Sequence, residues 1–309
     1  MPALSIVIPL FNKVNSVARA IESVLQQKFT DFELIVVNDG STDNSTKAVA
    51  QFSDPRIKLI DQPNQGVAVA RNRGVSEAKN AYVAFLDADD CYHPEFLQRI
   101  AELVSMYPDA ALYSCRFNIA DETGRIFTPK GIFADGTVGE LPAFLSDFKR
   151  DRTIIHPSCM AVNKSRFLAC GGFPEGKKVG EDLQLILRMS LLGAVVHDHS
   201  VLATIHRDAE NRTHHRLKAE PACHLQYFLT DDNWQQNISE QQIAAVHDFV
   251  RHNTLLHIAG AALLGQRSLA RYYCAMLWQQ SPRQSIAGYC ISIAPKAILH
   301  WLKRRRNSA

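Results

Sequence analysis

The chain has 309 residues, 46% of them hydrophobic and 21% charged, and its net charge is +3. This composition is that of a folded globular protein with enough chain for a sizeable core and a further domain. Seven cysteines without a Cys-x-x-Cys pair argue against a disulfide framework or a zinc ribbon, and no apolar run reaches the roughly 20 residues of a membrane-spanning helix. Since no signal peptide is apparent, we expect a reducing, cytoplasmic location.

Strands and helices alternate through the first third of the chain. Short apolar runs predict strands, and apolar residues spaced three and four apart predict helices between them. The predicted strands are 4–10, 32–38, 57–60 and 81–86, and the predicted helices are 14–27, 44–52, 66–78 and 94–107. Alternation at this spacing predicts an α/β fold with a Rossmann-like, mostly parallel sheet flanked by helices.

The pattern changes in the rest of the chain. Further segments are predicted as strands at 111–118, 156–163 and 195–205, a loop or small hairpin at 121–139, and an amphipathic helix at 182–192. From about residue 216 the pattern is helical. We therefore predict two domains, an α/β domain at 1–215 and a helical C-terminal extension at 216–309.

The C-terminal extension is basic. No Asp or Glu follows Asp248, and the last 61 residues contain nine Lys or Arg, whereas the first 248 residues have a charge balance of −6. Trp278, Tyr289 and Trp301 lie among Leu and Ile there, which favours an anionic membrane surface as the partner of this extension. A solvated helical tail is the alternative interpretation, and no nucleic acid partner is expected.

The run from Phe85 to Asp90, FLDADD, ends the fourth predicted strand with three carboxylates in four positions. Like charges this close repel one another and resist burial unless a divalent cation lies among them. In an open α/β sheet, ligands bind beyond the carboxyl ends of the strands. The run therefore predicts a Mg²⁺ or Mn²⁺ site that would accompany a diphosphate, and a solvated acidic turn is the alternative.

Other ends of predicted elements carry candidate ligand contacts. Phe11 follows the first strand and would either stack on a nucleobase or fill the core. Asp39 follows the second strand, where it would accept a hydrogen bond from a base N–H or form an Asx-turn. Gly66 opens a helix and permits close approach of a ligand, while Arg71 is either a partner for a phosphate or carboxylate or a surface arginine.

Two segments in the second half of the chain carry titratable candidates. Glu181 and Asp182 open a helix, where the helix dipole favours carboxylates, although a carboxylate beside a ligand is also suited to act as a general base. His206 follows the last predicted strand, and its imidazole is suited to bind a metal or to serve a structural role. The residues alone leave these alternatives open.

The motifs occur in an order that resembles the family 2 glycosyltransferases, which have the GT-A fold. They are SIVIPLFN from Ser5, VVNDGSTD from Val36, QGVAVARNRG from Gln65, FLDADD from Phe85, GGF from Gly171 and GEDL from Gly180. The resemblance covers about residues 3–215, does not extend to the basic tail, and implies that residues 1–215 form a GT-A catalytic domain.

The resemblance implies ligand roles for individual residues. Asp87 and Asp89 match the family's Asp-x-Asp motif, with Asp89 as the main metal ligand, and His206 is the nearest match to a histidine that often follows the last strand. We therefore predict Asp87, Asp89 and His206 as ligands of Mn²⁺ or Mg²⁺. The residues predicted to bind the nucleotide sugar are Pro9, Phe11, Asn12, Asp39, Gly66, Arg71, Asp87 and Ala88.

The implied reaction transfers a sugar with inversion from a nucleotide-diphosphate donor, by default a UDP-sugar, to a glycan or lipid-linked acceptor in cell-surface polysaccharide synthesis. Asp182 matches the family's catalytic base, and Glu181 would support the base or the acceptor. Action at the inner face of the cytoplasmic membrane is expected. A non-catalytic nucleotide-sugar binding module is the alternative, and a nucleotidyltransferase is disfavoured because no Gly-rich loop follows the first strand.

Overall fold

The computed structural model describes residues 1–207, 220–278 and 280–294. The chain forms two compact units, one from Met1–Lys177 with Glu181–Arg216 and the other from Lys178–Gly180 with Leu217–Ala309. The predicted division between residues 215 and 216 falls within 208–219, outside the described residues, and stays a prediction.

The first unit is built around one sheet with helices. Its strands are β1 (Leu4–Leu10), β2 (Phe32–Asp39), β3 (Ile57–Gln62), β4 (Tyr82–Phe85), β5 (Cys91–Tyr92), β6 (Leu112–Ala120), β7 (Ile126–Phe127), β8 (Val138–Glu140), β9 (Met160–Asn163) and β10 (Val195–His206). Its helices are α1 (Val17–Leu25), α2 (Ser45–Val49), α3 (Val67–Glu77), α4 (Phe96–Met106), α5 (Phe144–Arg150), α6 (Lys164–Ala169) and α7 (Glu181–Leu192).

The strand order is β3-β2-β1-β4-β9-β6-β10-β5, with β7 paired to β6 and β8 paired to β10. Strands β1 to β4 pair in parallel, as do β6 and β10, whereas β9 runs antiparallel to both β4 and β6. The predicted α/β class is confirmed, and β9 divides the sheet into two parallel blocks. Because parallel strands end at one edge, the segments after β1, β2 and β4 meet there.

Strand β1 is covered on both faces. On one face, Ile6 and Ile8 join a core that includes Ile21 of α1. On the other face, Gly74 of α3 approaches Val7 so closely that a Cβ on this glycine would lie 2.3 Å from Val7 Cγ1. All seven residues of β1 are buried as a result, which is why an unbroken apolar run forms this strand.

Two predicted segments differ from the structure. Residues 121–139, predicted as a loop or small hairpin, contain β7 and the start of β8. Strand β7 pairs antiparallel with β6 and β8 pairs antiparallel with β10, and the two do not pair with each other. The predicted strand at 156–163 is a strand only from Met160, because a 3₁₀ turn at Pro157–Cys159 precedes it. Helices α5 and α6 were missed because seven and six residues are too few for a helical period to show.

The second unit is helical in its described part, as predicted. Its helices are α8 (Cys223–Thr230), α9 (Glu240–Leu263), α10 (Arg267–Trp278) and α11 (Pro282–Ile293). Phe228, Phe249 and Tyr273 are buried in it, and the Tyr273 hydroxyl accepts the Ala222 N–H at 2.9 Å. No helix in the described part of the chain is long and apolar enough to cross a membrane.

Candidate active site

The segment after β1 is bonded to the segment after β2. Pro9 is buried near the end of β1, whereas Phe11 is 41% exposed. Asn12 has a φ of 51°, which asparagine tolerates better than most residues. Its N–H donates to Ser41 Oγ at 3.1 Å, and its side-chain oxygen accepts the Thr42 N–H at 2.8 Å. The Phe11 ring is therefore held beside this junction and does not fill the core.

Asp39 ends β2 with a carboxylate that holds the next loop. One of its oxygens accepts from Gln62 Nε2 at 2.8 Å and from the Gln65 N–H at 2.9 Å, and the other accepts the Gly66 N–H at 2.8 Å. Gly66 has a φ of 94°, and nothing lies within 4 Å of where its Cβ would be. Its backbone therefore borders open space, and glycine is required there for conformation.

Arg71 is buried, which excludes the surface interpretation. Only 4% of its side chain is exposed, and its Nη2 donates to Asp87 Oδ1 at 2.5 Å. The guanidinium lies 5.1 Å from the centre of the Phe173 ring. Burial acts to lower the pKa of Arg71, but the charges of Asp87, Glu181 and Asp182 raise it above the ordinary value. Arg71 is therefore an electrostatic neighbour of both the end of β4 and the first turn of α7.

Three side chains after β4 form what we call the carboxylate cluster, Asp87, Asp89 and Asp90. Their nearest oxygens lie within 4.8 Å of one another, and no other group of three or more potential metal ligands occurs among the described residues. Burial and the two neighbouring charges raise the pKa of Asp90 well above its ordinary value. Burial also acts to raise the pKa of Asp87, but the charges of Arg71 and His156 lower that pKa below its ordinary value.

The chemistry of this cluster fits the predicted metal. Mg²⁺ and Mn²⁺ prefer carboxylate oxygens, and the pKa of Asp90 is raised by burial first and then by the negative charges of Asp89 and Asp87, which a cation would offset. The protein itself supplies two close cations, since Lys13 Nζ lies 2.7 Å from Asp89 Oδ2 and Arg71 Nη2 lies 2.5 Å from Asp87 Oδ1. Ala88 is 3% exposed and packs into the core, so only its backbone is placed to meet a ligand.

His206 reaches the carboxylate cluster through its backbone. Its N–H donates to Asp90 Oδ1 at 2.8 Å, while its imidazole Nε2 lies 3.7 Å from Cys91 Sγ. In the described part of the chain the third member of the cluster is Asp90, which the predicted ligand set omitted. Coordination by His206 stays a prediction. Asp90 was available to sequence reasoning, because it is the third carboxylate of the same acidic run.

Glu181 and Asp182 occupy the first turn of α7. Asp182 Oδ1 accepts the Leu183 N–H at 2.7 Å. The charge of Asp182 also acts on Arg152 and on His156: burial lowers the pKa of each of these side chains, and Asp182 opposes that shift. With Arg71 as a shared neighbour, the structure brings the predicted base and the predicted metal ligands into one region.

Besides Asp90, the residues Lys13, Ser158 and His156 of this region were not among the predicted site residues. Lys13 follows the motif at β1 directly, and its positive charge just beyond the carboxyl end of a strand was the signal that could have identified it. Ser158 donates its hydroxyl to Asp90 Oδ2 at 2.5 Å, and its Oγ accepts the Asp87 N–H at 3.1 Å. His156 precedes the same 3₁₀ turn. No local pattern marks these last two residues, because they approach the carboxylates only through the fold.

The sequence model of Glycosyl transferase family 2 matches residues 5–168, more than half of the chain. The chain belongs to glycosyl transferase family 2. The predicted family and the predicted class of enzyme, a glycosyltransferase, are confirmed at this level.

Curated relatives share parts of the chain. It is 41% identical over 99 residues to the uncharacterized glycosyltransferase YibD of Escherichia coli (strain K12), and 30% identical over 201 residues to the chondroitin synthase of Pasteurella multocida (strain Pm70). These alignments cover 31% and 64% of this chain. They cover only 29% and 20% of the two relatives, so the chain spans less than a third of their length.

Solved structures extend the likeness to nearly the whole chain. The structure of S. aureus TarS 1–349 in complex with UDP-GlcNAc is similar with a TM-score of 0.76 and 16% identity, over 94% of this chain and 90% of that one. The complex of TarS 1–349 with UDP gives a TM-score of 0.61 at 17% identity, with the same coverage. At such identities the likeness shows the fold, and the predicted GT-A architecture is confirmed.

Proposed function

We propose that this protein transfers a sugar, with inversion, from a nucleotide-diphosphate donor to a hydroxyl of a glycan or lipid-linked acceptor in cell-surface polysaccharide synthesis. The observation that carries the proposal is Arg71, which pairs with Asp87 and lies in the field of Glu181 and Asp182. Displacement requires the donor and the general base to lie in one site. Arg71 neighbours both the carboxylate predicted to bind the donor and the residue predicted to act as the base. The family and the likeness to TarS bound to UDP-GlcNAc support a UDP-sugar as the donor.

The nucleoside of the donor would bind beyond β1 and β2. The exposed Phe11 ring would stack on the base. Asp39 accepts three donors from the protein, and a carboxylate has about four acceptor positions, so one is left for a base N–H. The open space beside Gly66 would admit the ligand, while Pro9 and Asn12 shape the adjoining loop.

The diphosphate would lie at the carboxylate cluster. Asp87, Asp89 and Asp90 would hold Mn²⁺ or Mg²⁺, with His206 as a further candidate ligand. Such a cation, when bound, offsets the negative charge that develops on the leaving diphosphate. Lys13 adds a positive charge at the same place, which favours binding of an anion.

Asp182 would act as the general base. It would take the proton of the acceptor hydroxyl while that oxygen forms a bond to the anomeric carbon of the sugar. The bond from this carbon to the diphosphate oxygen breaks on the opposite side, and the nucleoside diphosphate leaves with the electron pair. Displacement from the face opposite the leaving group inverts the configuration. Glu181, next to Asp182 in the same turn, would orient the base or the acceptor.

The test is binding and slow hydrolysis of UDP-, GDP- and dTDP-sugars with Mn²⁺ or Mg²⁺. Wild type would be compared with Asp89→Ala, with Asp182→Asn, and with Asp54→Ala as a control, since Asp54 pairs with Arg56 ahead of β3. We expect metal-dependent binding of one donor, weakened by Asp89→Ala and retained by Asp182→Asn, with slow hydrolysis lost in both. Binding without turnover by wild type would favour the non-catalytic module, and binding of no donor by folded protein would contradict the proposal.

We also propose that α10 and α11 dock on an anionic membrane surface, at the inner face of the cytoplasmic membrane, where a lipid-linked acceptor would reside. Their exposed arginines are Arg267, Arg271 and Arg283. No acidic residue after Asp248 offsets these charges. Basic residues beside aromatic and aliphatic ones are typical of interfacial helices. The large apolar side chains of these two helices that are at least 41% exposed are Tyr272, Trp278, Ile286, Tyr289 and Ile293.

Vesicle sedimentation tests this docking. The protein should bind vesicles of phosphatidylcholine with phosphatidylserine, bind phosphatidylcholine alone weakly, and lose affinity as salt is added. Trp278→Ser should weaken binding, whereas Ile126→Ser, which alters an equally exposed apolar residue of β7, should not. Equal binding to both kinds of vesicle, or none, would contradict the docking, as would self-association that Trp278→Ser abolishes.

A further inference from the structure

His156 is held in place by the 3₁₀ turn that it begins. Its Nδ1 accepts the Ser158 N–H at 3.2 Å. Its backbone N–H donates to Cys159 Sγ at 3.2 Å, and the Cys159 N–H donates back to the His156 carbonyl at 2.9 Å. The ring also packs beside Phe117, with 5.6 Å between ring centres. Backbone and ring are therefore both fixed before any ligand binds.

The same turn joins His156 to both halves of the candidate active site. Ser158, two residues further on, bonds to the Asp87 N–H at 3.1 Å and to the Asp90 carboxylate at 2.5 Å. The imidazole lies in the field of both Asp87 and Asp182. The residue as a whole is half-buried.

The hydrogen bond at Nδ1 decides which ring nitrogen carries the proton. A nitrogen that accepts an N–H has no hydrogen of its own, so the neutral ring is protonated at Nε2. The Nε2–H is then a donor that makes no hydrogen bond within the turn. The ring cannot rotate without losing the hydrogen bond between its Nδ1 and the Ser158 N–H.

We propose that the Nε2–H of His156 donates a hydrogen bond to a hydroxyl of the transferred sugar. This inference rests on the proposed function. In that reaction the diphosphate lies at Asp87 and the acceptor lies at Asp182, so the sugar that passes between them occupies the region next to His156. A neutral N–H suits a neutral hydroxyl, whereas the cationic side chains of Lys13 and Arg71 suit the phosphates.

Two substitutions separate binding from the structural role of the cap. In His156→Asn the side-chain oxygen can take the place of Nδ1 and keep the bond to the Ser158 N–H, but nothing replaces Nε2–H. In His156→Gln the longer amide places an N–H near the former Nε2, while the cap is lost. We would measure the Kd of UDP and of the UDP-sugar that wild type binds, both with Mn²⁺, together with Tm.

We expect His156→Asn to keep the wild-type Tm and the Kd of UDP but to weaken the UDP-sugar about 10-fold, the order expected for one hydrogen bond. His156→Gln should have a lower Tm and a UDP-sugar affinity closer to wild type. An unchanged UDP-sugar Kd in His156→Asn would overturn the inference alone. Equal weakening of UDP and UDP-sugar would also overturn it, because the contact would then be to phosphate. A wild type that binds no nucleotide sugar would overturn the proposed function and this inference together.

Discussion

Two clusters of buried titratable groups lie in the first unit, and they balance their charges differently. The carboxylate cluster after β4 crowds three acids together and raises the pKa of Asp90. A second group, the histidine cluster of Ser114, His197 and His199, lies where β6 and β10 pair. In it Ser114 Oγ and His197 Nδ1 are 2.9 Å apart, and His197 Nε2 and His199 Nδ1 are 3.2 Å apart.

His197 of the histidine cluster loses its charge, whereas Asp87 of the carboxylate cluster retains it. Burial and the neighbouring His199 lower the pKa of His197 to about 4, so the ring is neutral near pH 7. Asp87 instead stays ionised because Arg71 compensates its burial. Removal from water therefore has two outcomes: His197 becomes neutral, whereas Asp87 keeps its charge beside a cation and is prepared for a ligand. Substitutions at the histidine cluster should accordingly affect stability alone, whereas substitutions at the carboxylate cluster should also affect ligand binding and activity.

The largest effect is expected for Asp182→Asn. The amide keeps an oxygen for the Leu183 N–H but cannot take the acceptor proton, so we expect transfer to fall by about 10³-fold, within the range for a lost general base. Tm should be unchanged, which thermal unfolding would check alongside initial transfer rates. A rate within tenfold of wild type would assign the base elsewhere.

Arg71→Met tests whether the two kinds of cluster are truly distinct. Removing the guanidinium leaves the Asp87 carboxylate without its partner, and we expect a loss of about 3 kcal/mol in the free energy of unfolding. Mn²⁺ should restore part of this loss, since a cation at the cluster replaces the missing charge. Urea unfolding with and without Mn²⁺ gives the answer. A loss that Mn²⁺ leaves unaltered would mean that Arg71 acts through packing on Phe173 alone.

The histidine cluster should make the free energy of unfolding depend on pH. The pKa of His197 is about 4 in the folded protein and ordinarily 6.5, so between these values the unfolded chain binds more protons. The free energy of unfolding must then fall as the pH falls through this window, by about 2 kcal/mol between pH 7 and pH 5. Urea unfolding at several pH values would show it. His197→Gln should flatten the slope, and parallel curves for variant and wild type would refute the assignment.

The smallest effect is expected for Gly66→Ala. A φ of 94° disfavours alanine, and we expect a loss of about 1 kcal/mol in stability although the Cβ meets no atom within 4 Å. Gly124, with a φ of 80° and equally open space, is the matched control. Both variants should lose similar stability in urea, but only Gly66→Ala should weaken nucleotide binding in calorimetry. Equal nucleotide affinity in the two variants would remove Gly66 from the donor site.

Residues placed directly after strands were predictable. The bounds of β1 match the prediction, and β2 is one residue longer than predicted. Phe11, Asp39 and Asp87 were identified because parallel strands bring their carboxyl ends to one edge. His156 and Ser158 were not identified, since the turn that carries them reads as the start of a strand in sequence. The antiparallel direction of β9 was likewise not predictable, because an apolar run in the sequence does not determine which strands it pairs with or in which direction.

The sequence by itself determined the α/β class, the order of the motifs and the residue types available for chemistry, because apolar periodicity and turn residues act over short distances along the chain. Only the tertiary structure decided that Arg71 is buried against Asp87 and that Asp90 is paired with Ser158, 68 positions away. It also decided that His197 loses its charge while Asp87 keeps it. The physical reason is that pKa values and partners depend on distance through space and on burial, and both are set only when remote segments pack together.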